Sequence, residues 1–387
     1  MSTATPEIPN SFEELGLAPE LLQAVSTAGY QHPTPIQART IPLILRGRDV
    51  IGLAQTGTGK TAAVTLPIVH RLLGGPRRVR ALVLVPTREL AAQVTQNFAT
   101  YAAFTELRVT DVYGGVAIGP QETALRNGVD VVIATPGRLL DHMERRNIAF
   151  DDLEVLVLDE ADRMLDMGFA PQINRIVSDI PAYRQTLLFS ATMPAEVEAL
   201  ARKYLRKAIV AQVGRRTEAV STVTHAVYPV ARERKSELLV ELLRQDDMDS
   251  VLVFTRTKHG ADRVVRNVER AGIHAVAMHA DKSQAQRTQA LEQFKCGAVR
   301  VLVATDIAQR GLDIAGISHV INYDVPAQPE DYVHRIGRTG RALATGDAFT
   351  FMAADEIAMV RLIERVLGQP IPRVSVPGYD FGTVAAD

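Results

Sequence analysis

The chain has no tryptophan, one cysteine among 387 residues, and only 5% aromatic residues. A lone cysteine, Cys296, cannot close an intramolecular disulfide, which excludes a disulfide scaffold and points to a reducing compartment, the cytoplasm. Long apolar runs are missing too: stretches such as Ala81 to Pro86 fall far short of the roughly 18 residues needed to cross a bilayer. The opening residues, MSTATPEIPNSFEEL, have neither a basic n-region nor an apolar h-region, so no secretory signal is expected. Nor is there an excess of either charge. Lys+Arg number 43 against 44 Asp+Glu, and neither half of the chain carries a basic field, which argues against a large electrostatic footprint for nucleic acid. Lysine is scarce, at seven against 36 arginines; arginine suits bidentate phosphate contacts, although codon usage in a GC-rich genome is the simpler account of most of them.

What is present is a globular composition, 47% hydrophobic and 22% charged, and a length that suggests two domains at roughly 100 to 200 residues each. Short β-branched runs alternate with amphipathic stretches, the pattern of a parallel sheet wrapped by helices. DVIGLAQ, RALVLVP, LRVTDVY, DVVIAT, EVLVLDE and QTLLFSAT read as strands in the first half. VTHAVYPV, SVLVFTR, HAVAMHA, VRVLVATD, SHVINYD and GDAFTFM repeat the scheme in the second. The expected organisation is an N-terminal cap over residues 1–40 belonging to the first domain, the rest of that domain over 41–212, a linker over 213–222 and a second domain over 223–387. In the cap, Ser11 to Glu14 has the spacing of a capping box, and Pro19 stands in the first turn of a helix.

Directly after the strand DVIGLAQ comes Ala54-Gln55-Thr56-Gly57-Thr58-Gly59-Lys60-Thr61 and then a helix, the P-loop arrangement with Ala in place of the first Gly. Gly57 and Gly59 let backbone N–H groups close around phosphates, the helix N-terminus adds a favourable dipole, Lys60 reaches the β- and γ-phosphates, and Thr61 ligates Mg²⁺. Further on, the strand VLVL ends in Asp159-Glu160-Ala161-Asp162. Carboxylates at the carboxyl end of a parallel strand sit where open α/β sheets bind ligands; Asp159 can hold Mg²⁺, and Glu160 can orient and deprotonate an attacking water. Upstream, Gly29 to Gln37 reads as a stiff turn in which Tyr30 can stack on a purine and Gln37 can bond adenine N6 and N7. Taken alone, that segment reads equally as a loop with a core Tyr and a helix-capping Gln.

With these motifs in order, the chain resembles a DEAD-box ATP-dependent RNA helicase of superfamily 2, in a bacterial-type minimal core. The resemblance runs from Phe12 to about Met352. Phe12 with Gly29 to Gln37 resembles the Q motif, Ala54 to Thr61 motif I, Pro86 to Leu90 motif Ia, Gly114-Gly115 the GG doublet, and Thr135 to Arg138 motif Ib. Asp159 to Asp162 corresponds to motif II and Ser190 to Thr192 to motif III. In the second half Val251 to Lys258 resembles motif IV, Gln284-x-x-Arg287 the Q-x-x-R element, Ala304 to Asp313 motif V, and His334 to Arg341 motif VI.

The resemblance implies two tandem RecA-like domains, each a mostly parallel sheet flanked by helices, closing over ATP·Mg²⁺ and RNA. It implies nucleotide contacts from Phe12, Tyr30, Gln37, Ala54, Gln55, Thr56, Gly57, Thr58, Gly59, Lys60 and Thr61, with Gly311 and Asp313 from motif V. Arg338 and Arg341 would act as arginine fingers. Asp162, Ser190, Thr192, His334 and Arg335 would couple the motifs, the last two by linking the second domain to motifs II and III. RNA would be held by Pro86, Thr87, Arg88, Gly115, Thr135 and Arg138, and in the second domain by Arg256, Arg287, Thr305 and Asp306, through phosphates and 2′-hydroxyls rather than bases. Ala280 stands where many relatives carry Gly. His142, His225 and His274 lack metal-ligand spacing and read as ordinary surface or strand residues. The expectation is a monomeric cytoplasmic helicase with ribonucleoprotein or ribosome-assembly partners and no membrane partner. The competing readings are an ATP-gated RNA clamp with little unwinding and a DNA translocase, the latter disfavoured by Asp162 in place of His. Near-neutral charge then implies few phosphate contacts and a shallow salt dependence.

Overall fold

The computed structural model describes residues 9–54, 57–213, 223–245, 247–306, 316–339 and 346–382. The chain divides into two compact units, Met1–Val213 and Gly214–Asp387.

In the first unit, helices α1 (Pro19–Thr27) and α2 (Pro35–Leu45) precede β1 (Val50–Leu53) and α3 (Lys60–Leu72). Alternation then continues through β2 (Ala81–Leu84), α4 (Arg88–Tyr101), β3 (Val109–Val112), α5 (Gly119–Arg126), β4 (Val131–Ala134) and α6 (Pro136–Glu144). β5 (Val155–Leu158), α7 (Ala161–Asp166), α8 (Ala170–Ser178), β6 (Gln185–Ser190), α9 (Ala195–Tyr204) and β7 (Ile209–Gln212) complete it. The strand order is β3-β4-β2-β5-β6-β1-β7, every pair parallel. Strands this apolar are buried on both faces, as parallel sheets require. Successive side chains serve opposite cores: Ala81 and Val83 pack into one cluster, Leu82 and Leu84 into the other.

The second unit runs β8 (Val223–Pro229), α10 (Lys235–Leu243), β9 (Val251–Phe254), α11 (Lys258–Arg270), β10 (Ala275–Met278), α12 (Gln284–Lys295), β11 (Val301–Ala304), β12 (His319–Asn322), α13 (Pro329–Ile336), β13 (Gly346–Met352) and α14 (Ile357–Leu367). Its sheet, β10-β11-β9-β12-β13-β8, is again all parallel. The segment after α14 returns along the edge strand β8, where Val227 N–H donates to Pro372 O and Val374 N–H to Val227 O; this covers a strand edge that would otherwise be open to pairing.

Three local readings change. No strand was expected at the end of the first domain, yet Ile209–Gln212 pairs with β1 as an edge strand. The Ser11 to Glu14 spacing makes no α-helical capping box: Glu13–Leu15 is a single 3-10 turn with Phe12 at its N-cap and no side-chain cap. The stiff turn ends earlier than Gln37, because Thr34 and Gln37 form a capping box that starts α2.

Candidate active site

The P-loop grows out of β1, one strand in from the β7 edge of the first sheet. Ala54 N–H donates to Ser190 O, which registers the loop against the end of β6, and Asp159 N–H donates to Leu84 O at the end of β5. Motifs I, II and III therefore leave neighbouring strands on the same edge, the edge where α/β sheets place ligands. Gly57 and Gly59 both take positive φ, +85° and +92°. At Gly59 a Cβ would also stand 2.4 Å from Gln37 Nε2 and 2.8 Å from Thr34 Oγ1, so the backbone there tolerates only glycine. Gln37 is the reason the loop and the upstream segment move together: its Oε1 accepts from Thr34 N–H at 2.9 Å and its Nε2 donates to Gly59 O at 3.1 Å. Tyr30 is 54% exposed, with its ring 6.4 Å from Tyr101. Phe12 is buried in the core beneath.

Lys60 opens α3 and is only 7% exposed, and its ammonium has no hydrogen-bond partner among the described residues. A buried, unpartnered cation at a helix N-terminus is costly, both through desolvation and through the helix dipole. A polyphosphate would relieve both costs, so the residues present fit the nucleotide. Asp159 is fully buried, and burial above all pushes its carboxyl up to about 6; Lys60 opposes the rise while Glu160 and Asp162 add to it. Glu160 sits in the left-handed region at φ +51°, ψ +51°, a strained geometry for a residue with a side chain, and its carboxylate lies 3.3 Å from Arg163 Nη1. Asp162 ties motif II to motif III: its Oδ2 accepts from Ala191 N–H, Thr192 N–H and the Thr192 hydroxyl at 3.2, 2.9 and 2.9 Å, and its own N–H donates to Ser190 Oγ at 3.3 Å. Among the described residues no three or more His, Cys, Asp or Glu side chains form a metal cage. Mg²⁺ would therefore be held by Asp159 and the Thr61 hydroxyl together with the nucleotide's own oxygens.

The carboxyl ends of β2, β3 and β4 form a second region of the same edge. Pro86 is buried, Thr87 caps α4 by accepting from Leu90 N–H at 3.2 Å, and Thr135 stands at the N-cap of α6. Both helix starts present backbone donors. Gly115 has φ +82°, and a Cβ on it would approach Arg88 Nη1 to 2.4 Å, so the Arg88 guanidinium lies directly over the GG doublet. Arg138 turns inward: Nη1 donates to Gln121 Oε1 at 3.2 Å and Nη2 to Val116 O at 3.1 Å.

In the second unit Arg335 is 1% exposed. Its Nε and Nη2 donate to the two oxygens of Asp306 at 2.6 and 2.7 Å, its Nη1 donates to Asn322 Oδ1 and Asp324 O, and its plane lies over Phe254. Arg256 N–H donates to Asp324 Oδ2 at 2.8 Å, and its guanidinium reaches Glu356 Oε1 at 3.1 Å. Thr305 N–H donates to Met278 O at 3.4 Å, Arg287 is half-buried on α12, His334 lies in the last turn of α13, and Arg338 is buried just beyond it. Residues 34–200 match the DEAD/DEAH box helicase family, and residues 234–343 match the helicase conserved C-terminal domain. The chain is 44% identical over 370 residues to the DEAD-box ATP-dependent RNA helicase CshA of Geobacillus kaustophilus, covering 96% of this chain and 79% of that one.

The chain belongs to the DEAD-box ATP-dependent RNA helicase family. It is also 42% identical over 368 residues to the ATP-dependent RNA helicase DeaD of Mycobacterium tuberculosis, covering 95% of this chain and 65% of that one. Among solved structures it is similar to S. cerevisiae Dbp5 bound to RNA and ADP BeF3, with a TM-score of 0.87 and 31% identity over 95% of this chain and 96% of that one. The tandem RecA-like architecture expected from the DEAD-box motifs is thus the architecture of its structural relatives.

Of the expected DEAD-box site residues, Gln55, Thr56, Gly311, Asp313 and Arg341 lie outside the described residues. Within the second unit the buried Arg335 guanidinium is met by carboxylate and carbonyl partners from Asp306, Asn322 and Asp324, as a buried charge requires. The same bonds engage both oxygens of Asp306, which makes that carboxylate a fixed partner of Arg335. His142 is no surface residue, being fully buried in the last turn of α6, and its imidazole is held neutral chiefly by burial and then by Arg138. Sequence reasoning passed over Gln121, Lys235 and Glu356, all buried and all bonded to site or neighbouring residues. For Gln37, the Thr34-x-x-Gln37 spacing was the signal that marks its second role.

Proposed function

We propose that this protein is an RNA-stimulated ATPase that binds ATP·Mg²⁺ and single-stranded RNA and locally unwinds short RNA duplexes or remodels RNA–protein complexes in the cytoplasm. The observation that carries the reading is the buried Lys60 ammonium, left without a hydrogen-bond partner at the start of α3 beside Asp159. Lys60 neutralises the β- and γ-phosphates, and Gly57 to Thr61 cradle them with backbone N–H groups. Asp159 and Thr61 would hold Mg²⁺, partly through water, and the bound ion would supply positive charge to the phosphate oxygens. Glu160 orients a water and takes its proton as the water oxygen bonds to the γ-phosphorus and the bond to ADP breaks. Arg338 and Arg341 contribute positive charge to the same phosphoryl group. Tyr30 and Gln37 bind the adenine, and the Gln37 bond to Gly59 O transmits base occupancy to the loop. On the RNA side, Arg88, Gly115 and the helix starts after Thr87 and Thr135 hold phosphates and 2′-hydroxyls without reading bases, which suits a chain of net charge -1. Arg256, Arg287 and Thr305 extend the track in the second unit.

The deciding experiment is displacement of a strand from a short RNA duplex, with RNA-stimulated ATP turnover followed in the same tube. Unwinding supports the helicase reading. Active turnover with no displacement would leave an ATP-gated RNA clamp, and equal stimulation by DNA and RNA would revive a DNA translocase. In Glu160→Gln, ATP binding is retained while turnover stops and the RNA complex persists; near-normal turnover would remove Glu160 from its role.

A further inference from the structure

Gln121, on α5, is buried beside the second region of the sheet edge and belongs to none of the motifs. Its side-chain amide is engaged on both ends. Oε1 accepts from Arg138 Nη1 at 3.2 Å and faces His142 Nε2 at 3.2 Å, while Nε2 donates to Tyr113 O at 3.0 Å. The histidine tautomer follows from the next neighbour. Asn147 Nδ2 donates toward His142 Nδ1 at 3.3 Å, so Nδ1 is the acceptor and Nε2 carries the proton that Gln121 receives. That fixes which way the Gln121 amide points. Arg138, held from below by Gln121, gives its other Nη to Val116 O. The carbonyls gripped by this arrangement, Tyr113 and Val116, flank Gly114-Gly115 on either side.

We propose that Gln121 is a positioning residue for RNA: with Arg138 and His142 it forms a buried brace that fixes the Gly114-Gly115 loop beneath Arg88, so that RNA affinity depends on a side chain that touches no RNA. The inference rests on the reading above that Arg88 and Gly115 hold RNA. Gly115, at φ +82°, brings its backbone close beneath the Arg88 guanidinium, where a Cβ would stand 2.4 Å from Nη1. A bonded amide with both ends satisfied is a rigid support, and its loss leaves the half-buried Arg138 guanidinium with Val116 O but without its side-chain acceptor.

The test uses the full chain and a fluorescein-labelled ten-nucleotide poly(U) RNA, read by anisotropy with a non-hydrolysable ATP analogue, alongside the RNA concentration for half-maximal ATPase. Gln121→Leu raises the Kd for RNA about tenfold, the order expected on losing a hydrogen bond to a charged group. The half-maximal RNA concentration rises in parallel, and kcat at saturating RNA stays within about twofold. Gln121→Glu keeps the acceptor oxygen for Arg138 and His142 but loses the donor to Tyr113 O, and recovers part of the affinity. Arg138→Lys, which keeps the charge and loses the fork that reaches both Gln121 and Val116, weakens RNA binding in the same direction should Gln121→Leu fold poorly. Arg88→Ala separates the two readings. If Arg88→Ala weakens binding while Gln121→Leu and Arg138→Lys do not, the brace is overturned and the RNA track stands. If Arg88→Ala changes nothing, the track falls and the brace with it. Equal losses in Gln121→Leu and Gln121→Glu would also overturn the proposal, since the acceptor oxygen would then play no part.

Discussion

Lys60 in the first unit and Lys235 in the second occupy the same kind of place. Each is the first residue of a helix, and each is buried, 7% and 2% exposed. Their surroundings differ completely. Lys235 Nζ lies 2.6 Å from Glu356 Oε2 and donates to Tyr323 O at 2.9 Å, with the Tyr323 ring 5.9 Å away. Glu356 is itself saturated: it also accepts from Arg256, from Val325 N–H and from Ala353 N–H. Among the described residues Lys60 has no hydrogen-bond partner, and the nearby charge is that of Asp159, a carboxyl whose own burial resists ionisation. One cation is paid for by the fold and the other waits for a ligand. The difference shows how to tell a structural buried charge from a functional one: by whether the protein has supplied its counter-charge and hydrogen bonds, not by burial.

That contrast can be broken by exchange. Lys60→Met lowers ATP turnover by about 10³-fold or more, the scale of removing a preorganised charge from a phosphoryl-transfer site, while the melting temperature holds or rises because an unpartnered buried charge is gone. A large loss of stability in this variant would show that Lys60 has a partner in the fold after all. Lys235→Met should do the opposite. Among the described residues it leaves Glu356 with Arg256, half exposed, as its remaining counter-charge and costs about 3 kcal/mol, measured from the denaturant midpoint of the second unit's transition.

Acid sharpens the comparison between the units. Burial lowers the pKa of His142 in the first unit and of His225 in the second below 6.5. For a base depressed in the folded state, the unfolded chain takes the proton first, so this stability is present above pH 6.5 and is lost as pH falls below it toward the folded value. From pH 7.5 down to 5.5 the second unit's melting temperature should decline. In the first unit Asp159, raised to about 6, takes up its proton in the folded state and opposes His142, so His142→Gln should leave a net gain there on acidification. The smallest effect belongs to exposed pairs such as Arg175 with Glu144, 2.8 Å apart; Arg175→Ala should change stability by under about 1 kcal/mol, and more would mean the pair is less solvated than it looks.

Much of this was legible before the structure. The P-loop, the acidic strand end and nearly all strands announce themselves because each rests on local periodicity or on spacing within a few residues. β7 was hidden because Ile209–Gln212 is short, lies on the sheet edge and abuts a polar stretch, so its burial alternates weakly. Lys235 with Glu356, 121 residues apart, and Gln121 with His142, 21 apart, were invisible for a different reason. Their meaning lies in tertiary contacts between single polar residues, and no sequence period records these. Arg335 was recognised as important, but its partners within the second unit, Asp306, Asn322 and Asp324, were not, because these too are tertiary contacts that no spacing records.

The position of β1 in the sheet has a consequence for how the protein is made. β1 carries the P-loop, yet its neighbours are β6 and β7, which begin at Gln185 and Ile209. Until Gln185 has emerged from the ribosome the chain can pair β2, β3, β4 and β5 among themselves, while β1 has no strand to join. The nucleotide pocket is thus the last part of the first unit to take shape during synthesis. A nascent chain cannot grip ATP until the strand that closes the sheet has left the exit tunnel.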